Sequence, residues 1–173
     1  MSDDRFRTTR MLSMLVEKRL ANRCMVWGRE VSFDRCTPDE RRVDYVGFDP
    51  EIVDHGIRAT SLEFGRTEFY EVKSCMDDVN SGHGLTFYGD ENWLVTTPEV
   101  AERMRTDWRL GGNFGVLVPS SDGSRLRRFA EPGFMDSHRT RSAGEILLCI
   151  LKSVRPMIGA SEMGGSSSVE VDG

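Results

Sequence analysis

No run of apolar residues in this chain approaches the ~18 that a membrane-spanning helix needs. No apolar segment follows the acidic opening Met1-Ser2-Asp3-Asp4-Arg5, so a secretory signal is not expected and a cytoplasmic location is. Cysteine is sparse. Cys24, Cys36, Cys75 and Cys149 lie far apart, form no C-x-x-C pair and offer no short-spaced Cys/His ligand set of the kind zinc takes. The expectation is buried free thiols in a reducing compartment. Cys75, two residues after Lys73, could instead be an oxidation-sensitive thiol beside a site. Lysine is scarcer still: Lys18, Lys73 and Lys152 are the whole complement, and arginine supplies the rest of the 23 basic residues. No internal repeat is present.

Net positive charge is also missing. A formal charge of −5 excludes a protein that coats nucleic acid through bulk electrostatics. Basic residues do cluster locally, at Arg41-Arg42, at Arg103, Arg105 and Arg109, at Arg125 with Arg127-Arg128, and at Arg139 with Arg141. Nucleic-acid contact would have to use such patches, each of which taken singly reads as a solvated face. The 38% hydrophobic and 29% charged composition is that of an ordinary globular protein. With 173 residues, the chain is long enough for one domain with a real core.

Periodicity divides the chain into elements. Leu12, Val16, Leu20 and Cys24 recur every fourth residue, with Leu15 widening the stripe, and predict a helix over 8–27 capped by Thr8 or Thr9. Val43, Tyr45 and Val46 predict a strand that stops at Phe48-Asp49-Pro50. A second extended run over 57–64, a turn at Gly65-Arg66-Thr67, and a strand over 69–73 complete an expected antiparallel meander through 42–74. Residues 77–84 read as a short helix or loop, and 92–96 as a buried strand. Thr97-Pro98 opens a helix to about Trp108. A strand over 114–118 pairs with residues 125–129. A final helix, capped by Asp136 or Ser137 and ended by Pro156, carries Ala143, Ile146, Leu147, Ile150, Leu151 and Val154 on one face. The expected fold is a mixed α/β domain with a sheet covered on both faces, over residues 1–158. Residues 159–173, with Gly-Gly-Ser-Ser-Ser inside, are expected to be a disordered tail.

The chemistry concentrates in two strands. Glu71 and Lys73, two apart, project to one side while Val72 faces the other. A carboxylate and an ammonium on an apolar strand are costly unless they meet a cation or face a polar cleft. Asp44, inside Val43-Asp44-Tyr45-Val46, shares that oddity. If the strands are neighbours, two carboxylates converge beside one ammonium, a set that suits Mg²⁺ or Mn²⁺ with most of its water retained. The bland alternative is a strand-end salt bridge between Glu71 and Lys73.

This layout resembles the PD-(D/E)XK nuclease superfamily, in which an aspartate on one strand precedes Glu/Asp-x-Lys on the next. The pieces here are Arg42-Val43-Asp44 and Tyr70-Glu71-Val72-Lys73-Ser74. The wider stretch, with Ser81-Gly82-His83-Gly84, Phe87-Tyr88-Gly89, Asn92-Trp93-Leu94-Val95 and Pro98-Glu99, is similar to the MmcB-like DNA-repair proteins and their phage-borne relatives, over roughly residues 10–155. The resemblance implies a restriction-endonuclease-like mixed central sheet flanked by helices and a Mg²⁺- or Mn²⁺-dependent deoxyribonuclease acting in DNA repair or phage DNA metabolism. It implies that Asp44, Glu71 and the Val72 carbonyl hold the metal and that Lys73 is the catalytic lysine. Glu17 stands where many members add a glutamate from the first helix, or is a surface glutamate at the margin of the stripe. DNA is the implied partner, contacted by Arg42, His83 and Tyr88, although His83 could be a plain loop residue and Tyr88 could simply pack. A homodimer or an accessory protein partner is compatible, and a non-catalytic binding module on the same fold is the alternative. One departure stands out: the family's Lys-Trp pair after Glu-Val-Lys is here Gly84-Leu85, closer to the phage-type His-Gly.

Overall fold

The computed structural model describes residues 3–52, 56–82, 84–107, 109–110, 112–132 and 139–159. In order, the elements are α1 (Asp3–Arg23), β1 (Val26–Phe33), β2 (Arg41–Asp49), α2 (Ala59–Glu63), β3 (Arg66–Val72), α3 (Met76–Asn80), β4 (Glu91–Val95), α4 (Pro98–Thr106), β5 (Gly115–Pro119), β6 (Leu126–Ala130) and α5 (Ala143–Gly159). Six strands form one sheet in chain order. The β1–β2–β3 meander is antiparallel, β3–β4–β5 run parallel, and β6 returns antiparallel. The chain is thus a mixed α/β domain with helices on both faces of the sheet. Among the described residues no helix is long and apolar enough to cross a membrane.

Strand alternation decides which side chains meet which helix. The α1 stripe of Leu12, Leu15, Val16 and Leu20 packs on Tyr45, Tyr70, Val72, Trp93 and Val95. The other face takes Val46, Phe48 and Phe69 under Ala143, Ile146 and Ile150 of α5. Beside them Leu94, Val116 and Val118 lie under α3 and α4. Leu12, Val16 and Leu20 are fully buried, each stabilising the fold by about 1.5–3 kcal/mol.

Three expectations about elements need correction. The first helix begins at Asp3, so Thr8 and Thr9 do not cap it but lie inside it, their hydroxyls donating to the Asp4 and Arg5 carbonyls. It stops at Arg23, and residues 26–33 are an edge strand. The helical stripe runs into Cys24, and Glu30, at φ 52°, interrupts the alternation that would mark the strand. The segment 57–64 carries the short helix α2 instead of a strand, its first turn closed by Ser61, whose hydroxyl accepts from the Arg58 N–H at 3.0 Å. The antiparallel meander therefore does not run through 42–74 as expected: it runs over β1, β2 and β3, with β1 ahead of β2 and β2 pairing β3 directly. The last helix continues past Pro156 to Gly159; one missing donor in a final turn removes a single hydrogen bond. Its caps at Asp136 and Ser137, and the tail beyond 159, lie outside the described residues. Ser142 caps α5, accepting from the Glu145 N–H at 3.2 Å.

The α1 face also buries a charge. Glu68 has no exposed surface and meets Arg23 at 2.6 Å and Arg66 at 3.3 Å. The Tyr70 hydroxyl donates to it. Burial alone would raise its pKa, but the Arg23 hydrogen bond leads the interactions that hold it below its ordinary 4.5. Arg23→Ala should therefore destabilise the protein by about 3 kcal/mol in urea unfolding, the low end for a buried charge losing a partner, because Arg66 remains. The depressed pKa makes this contribution present above pH 4.5 and lost as pH falls below it.

Candidate functional site

The backbone ladder between β2 and β3 ends at the Tyr45–Tyr70 pair. Two residues further along β3, the Val72 N–H donates at 2.8 Å to a carboxylate oxygen of Asp44 in place of a β2 carbonyl. The strands fork here. β3 is held past the fork by its parallel neighbour: the Lys73 N–H donates to the Val95 carbonyl at 3.0 Å, and the Thr96 hydroxyl donates to the Lys73 carbonyl at 2.6 Å. Asp44 leans into the gap toward Glu71, on the face opposite α1.

Glu71 is only 1% exposed. Burial first, and the Asp44 charge second, push its pKa from 4.5 up to about 9, while Lys73 pulls it down. With the Asp44 charge close by and water excluded, Glu71 holds its proton well above the ordinary carboxylate range. The second Glu71 oxygen, Oε1, is buried with no hydrogen-bond partner, an arrangement that costs free energy unless something fills the vacancy. Lys73 belongs to the same cluster. A Cβ added to Gly84 would stand 2.9 Å from Glu71 Oε2 and 3.2 Å from Lys73 Nζ, so both atoms border one point at the Gly84 backbone.

The structure thus brings Asp44, Glu71, Lys73 and the Val72 backbone together, Val72 through its amide. It does not bring in Glu17, which lies on the α1 side, accepts from the Tyr45 hydroxyl at 3.1 Å and faces Arg29 at 3.9 Å. Arg42 is exposed and bridged to Glu30 at 2.7 Å. Tyr88 packs, with its ring 5.2 Å from Phe33, 6.1 Å from Phe69 and under the Arg141 guanidinium at 4.7 Å. His83 lies outside the described residues. The four cysteines are free, as expected, but none is fully buried: Cys24, Cys75 and Cys149 are half-buried and Cys36 is exposed. Cys75 lies 3.3 Å from an Asp78 oxygen. Gly84 was visible in the sequence as a departure from the family's Lys-Trp; its role as the wall of the site was not.

Among the described residues no group of three or more His, Cys, Asp or Glu side chains could hold a metal. The donor set is therefore two carboxylates, one with an orphaned buried oxygen. That fits a hard, strongly hydrated ion such as Mg²⁺ or Mn²⁺ and does not fit zinc.

Two outcomes follow from the geometry. In metal-free buffer the folded protein keeps a Glu71 proton that the unfolded chain releases, so stability should fall as pH rises from 4.5 toward about 9. Glu71→Gln should abolish that slope and raise stability at pH 8 by on the order of 1–3 kcal/mol, read from urea curves. Gly82 and Gly84 both have positive φ, 64° and 74°, but a Cβ at Gly82 meets nothing. Gly84→Ala should therefore cost about 1 kcal/mol or more beyond Gly82→Ala, because only it overpacks the Glu71–Lys73 contact; equal losses would show that Gly84 does not wall the site.

No protein-family model matches the chain, and no curated protein matches it significantly. Among solved structures it is similar to the SPO1766 protein of unknown function from Silicibacter pomeroyi, with a TM-score of 0.59 and 15% identity over 94% of this chain and 97% of that one. That likeness shows a shared fold.

Proposed function

We propose that the chain is a metal-dependent nuclease of the PD-(D/E)XK kind, with a restriction-endonuclease-like sheet, hydrolysing DNA phosphodiester bonds in DNA repair or phage DNA metabolism. The observation that carries this reading is the orphaned Glu71 oxygen beside Asp44 at the strand fork, with Lys73 on the same spot. The family-like order of motifs along the chain, shared with the MmcB-like proteins and their phage relatives, supports it.

Asp44 and Glu71 would hold Mg²⁺ or Mn²⁺, the Val72 carbonyl being the third ligand the resemblance implies. Such an ion supplies Lewis-acid polarisation of a phosphoryl oxygen and a lowered pKa for bound water. Asp44 is oriented for this by the Val72 amide, which fixes one of its oxygens. Glu71 would enter as a carboxylate once its proton leaves. Lys73 donates to a phosphate oxygen or to the attacking water, stabilising charge that grows in the transition state. The dry surroundings of Glu71 strengthen each of these interactions.

The second reading, a binding module without turnover, is favoured by one observation: Glu71 is only 1% exposed and its burial holds it in the neutral, non-ligating form. The two readings separate experimentally. Labelled single- and double-stranded DNA incubated with Mg²⁺ or Mn²⁺ should be cut by wild type, and Lys73→Ala should lower kcat about 10²–10³-fold, the usual cost of removing one transition-state donor. Calorimetric Mn²⁺ binding should vanish in Asp44→Asn. Equal cleavage by wild type and Lys73→Ala would remove Lys73 from the mechanism, and a metal-blind protein that still retards DNA would establish the second reading.

A further inference from the structure

The edge strand β1 and helix α5 enclose an open cavity of about 270 Å³ bordered by Arg29, Glu30, Ser32, Arg35, Lys152 and Ser153. It continues, through the shared residues Arg29 and Ser153, into a neighbouring hollow lined by Glu17, Trp27 and Gly28. Together they form a furrow along the outer edge of the sheet. Its charge runs against that of the chain. Arg29, Arg35 and Lys152 are all exposed; the two carboxylates on its walls each face an arginine already, Glu30 meeting Arg42 at 2.7 Å and Glu17 meeting Arg29 at 3.9 Å. Among the described residues the side chains of Arg35 and Lys152 make no ion pair or hydrogen bond. Two uncompensated cations on a protein of charge −5 create a local positive potential that attracts an extended anion.

The furrow is also beside the strand fork. Arg29 pairs with Tyr45 and Val31 with Val43 across β1–β2, which sets Glu30 alongside Asp44. Strands are spaced about 4.8 Å apart, so the furrow begins roughly 10 Å from Glu71, two strands over. Lys152 and Ser153 belong to α5, the helix covering the face from which Glu71 projects. A nucleic-acid strand carries one phosphate about every 3.4 Å of helix rise, so some three phosphates span that gap.

We propose that this furrow is the track for the phosphodiester backbone of the substrate strand, with Arg29, Arg35 and Lys152 contacting phosphates on one side of the scissile bond. The proposal rests on the reading of the fork as a phosphodiester site and adds to it where the strand lies. Arg29 reaches round the strand edge, within 3.9 Å of Glu17, so the track turns the β1 edge at that point.

The test is fluorescence anisotropy of labelled single-stranded and duplex DNA in EDTA, where nothing is cut. Arg35→Glu/Lys152→Glu is compared with Arg125→Glu/Arg127→Glu, an equal charge reversal at the opposite edge of the sheet. All four side chains are exposed, and circular dichroism confirms folding. The furrow variant should bind about tenfold or more weakly and lose about 1.4–1.8 from its log–log salt slope, two phosphate contacts' worth; the control pair should change affinity less than threefold. Equal weakening by both pairs, or no weakening by the furrow pair, overturns the proposal. Failure of the catalytic reading is told apart by the cleavage assay. Binding that depends on the furrow in a protein that never cuts DNA leaves the track standing without the nuclease. Cleavage whose KM ignores the furrow variant leaves the nuclease without the track.

Discussion

Two carboxyl groups held together where water cannot reach one of them are the feature around which the rest of this structure is arranged. In water Asp44 and Glu71 would both ionise and part. They cannot part here, because Asp44 replaces a backbone carbonyl as the acceptor for Val72 and Glu71 is locked into a strand paired on both sides up to that point. The mixed topology makes this possible. An all-antiparallel sheet would let β3 bend away with β2. The parallel pairing to β4 continues through Lys73, so β3 stays straight while β2 leaves, and the fork opens with its acids fixed on either side.

The same strand carries a second buried glutamate, and the contrast explains the first. Glu68 and Glu71 are three residues apart and so face opposite sides of the sheet. Glu68 is met by Arg23, Arg66 and the Tyr70 hydroxyl, and its pKa falls. Glu71 is met by another acid, keeps one oxygen unpartnered, and its pKa rises to about 9. Burial is common to both; only the partners differ. A fold able to surround one glutamate with arginines could in principle do so twice, and a buried acid left under-satisfied is the arrangement expected where a ligand completes the set.

Much of this was legible in the sequence, and the misses have physical causes. The α1 stripe, the central strands, α4 and the apolar face of α5 were readable because single faces of regular elements impose their periods directly. Asp44, Glu71 and Lys73 stood out because charged residues in apolar strands are costly, and the structure brings those three together. β1 was hidden because the helical stripe ran into its start and Glu30 breaks its alternation. The α2 segment is too short for any period to show. Glu17 was placed at the site by analogy with a helix position, yet hydrogen bonding to Tyr45 holds it on the other side of the sheet. Gly84 was invisible as a site residue because a glycine's contribution is the space it leaves, which only coordinates reveal.

Charge sets a last constraint on how such a site could meet a polyanion. At physiological ionic strength the field of an exposed charge is screened beyond about 8 Å, so the net −5 weighs little on a ligand already seated. It weighs on the approach, where long-range attraction is absent and encounter rates gain nothing from steering. Affinity must then come from cations in direct contact, and those must lie close to the reacting centre to position it. Lysine is rare enough here that its placement is informative: Lys73 is at the fork, Lys152 is on the wall of the β1 furrow, and Lys18 is tied to the Ser124 carbonyl at 2.9 Å. An acidic protein with two of its three lysines arranged in this way would bind slowly and locally. Its selectivity would rest on the shape of the fork more than on bulk charge.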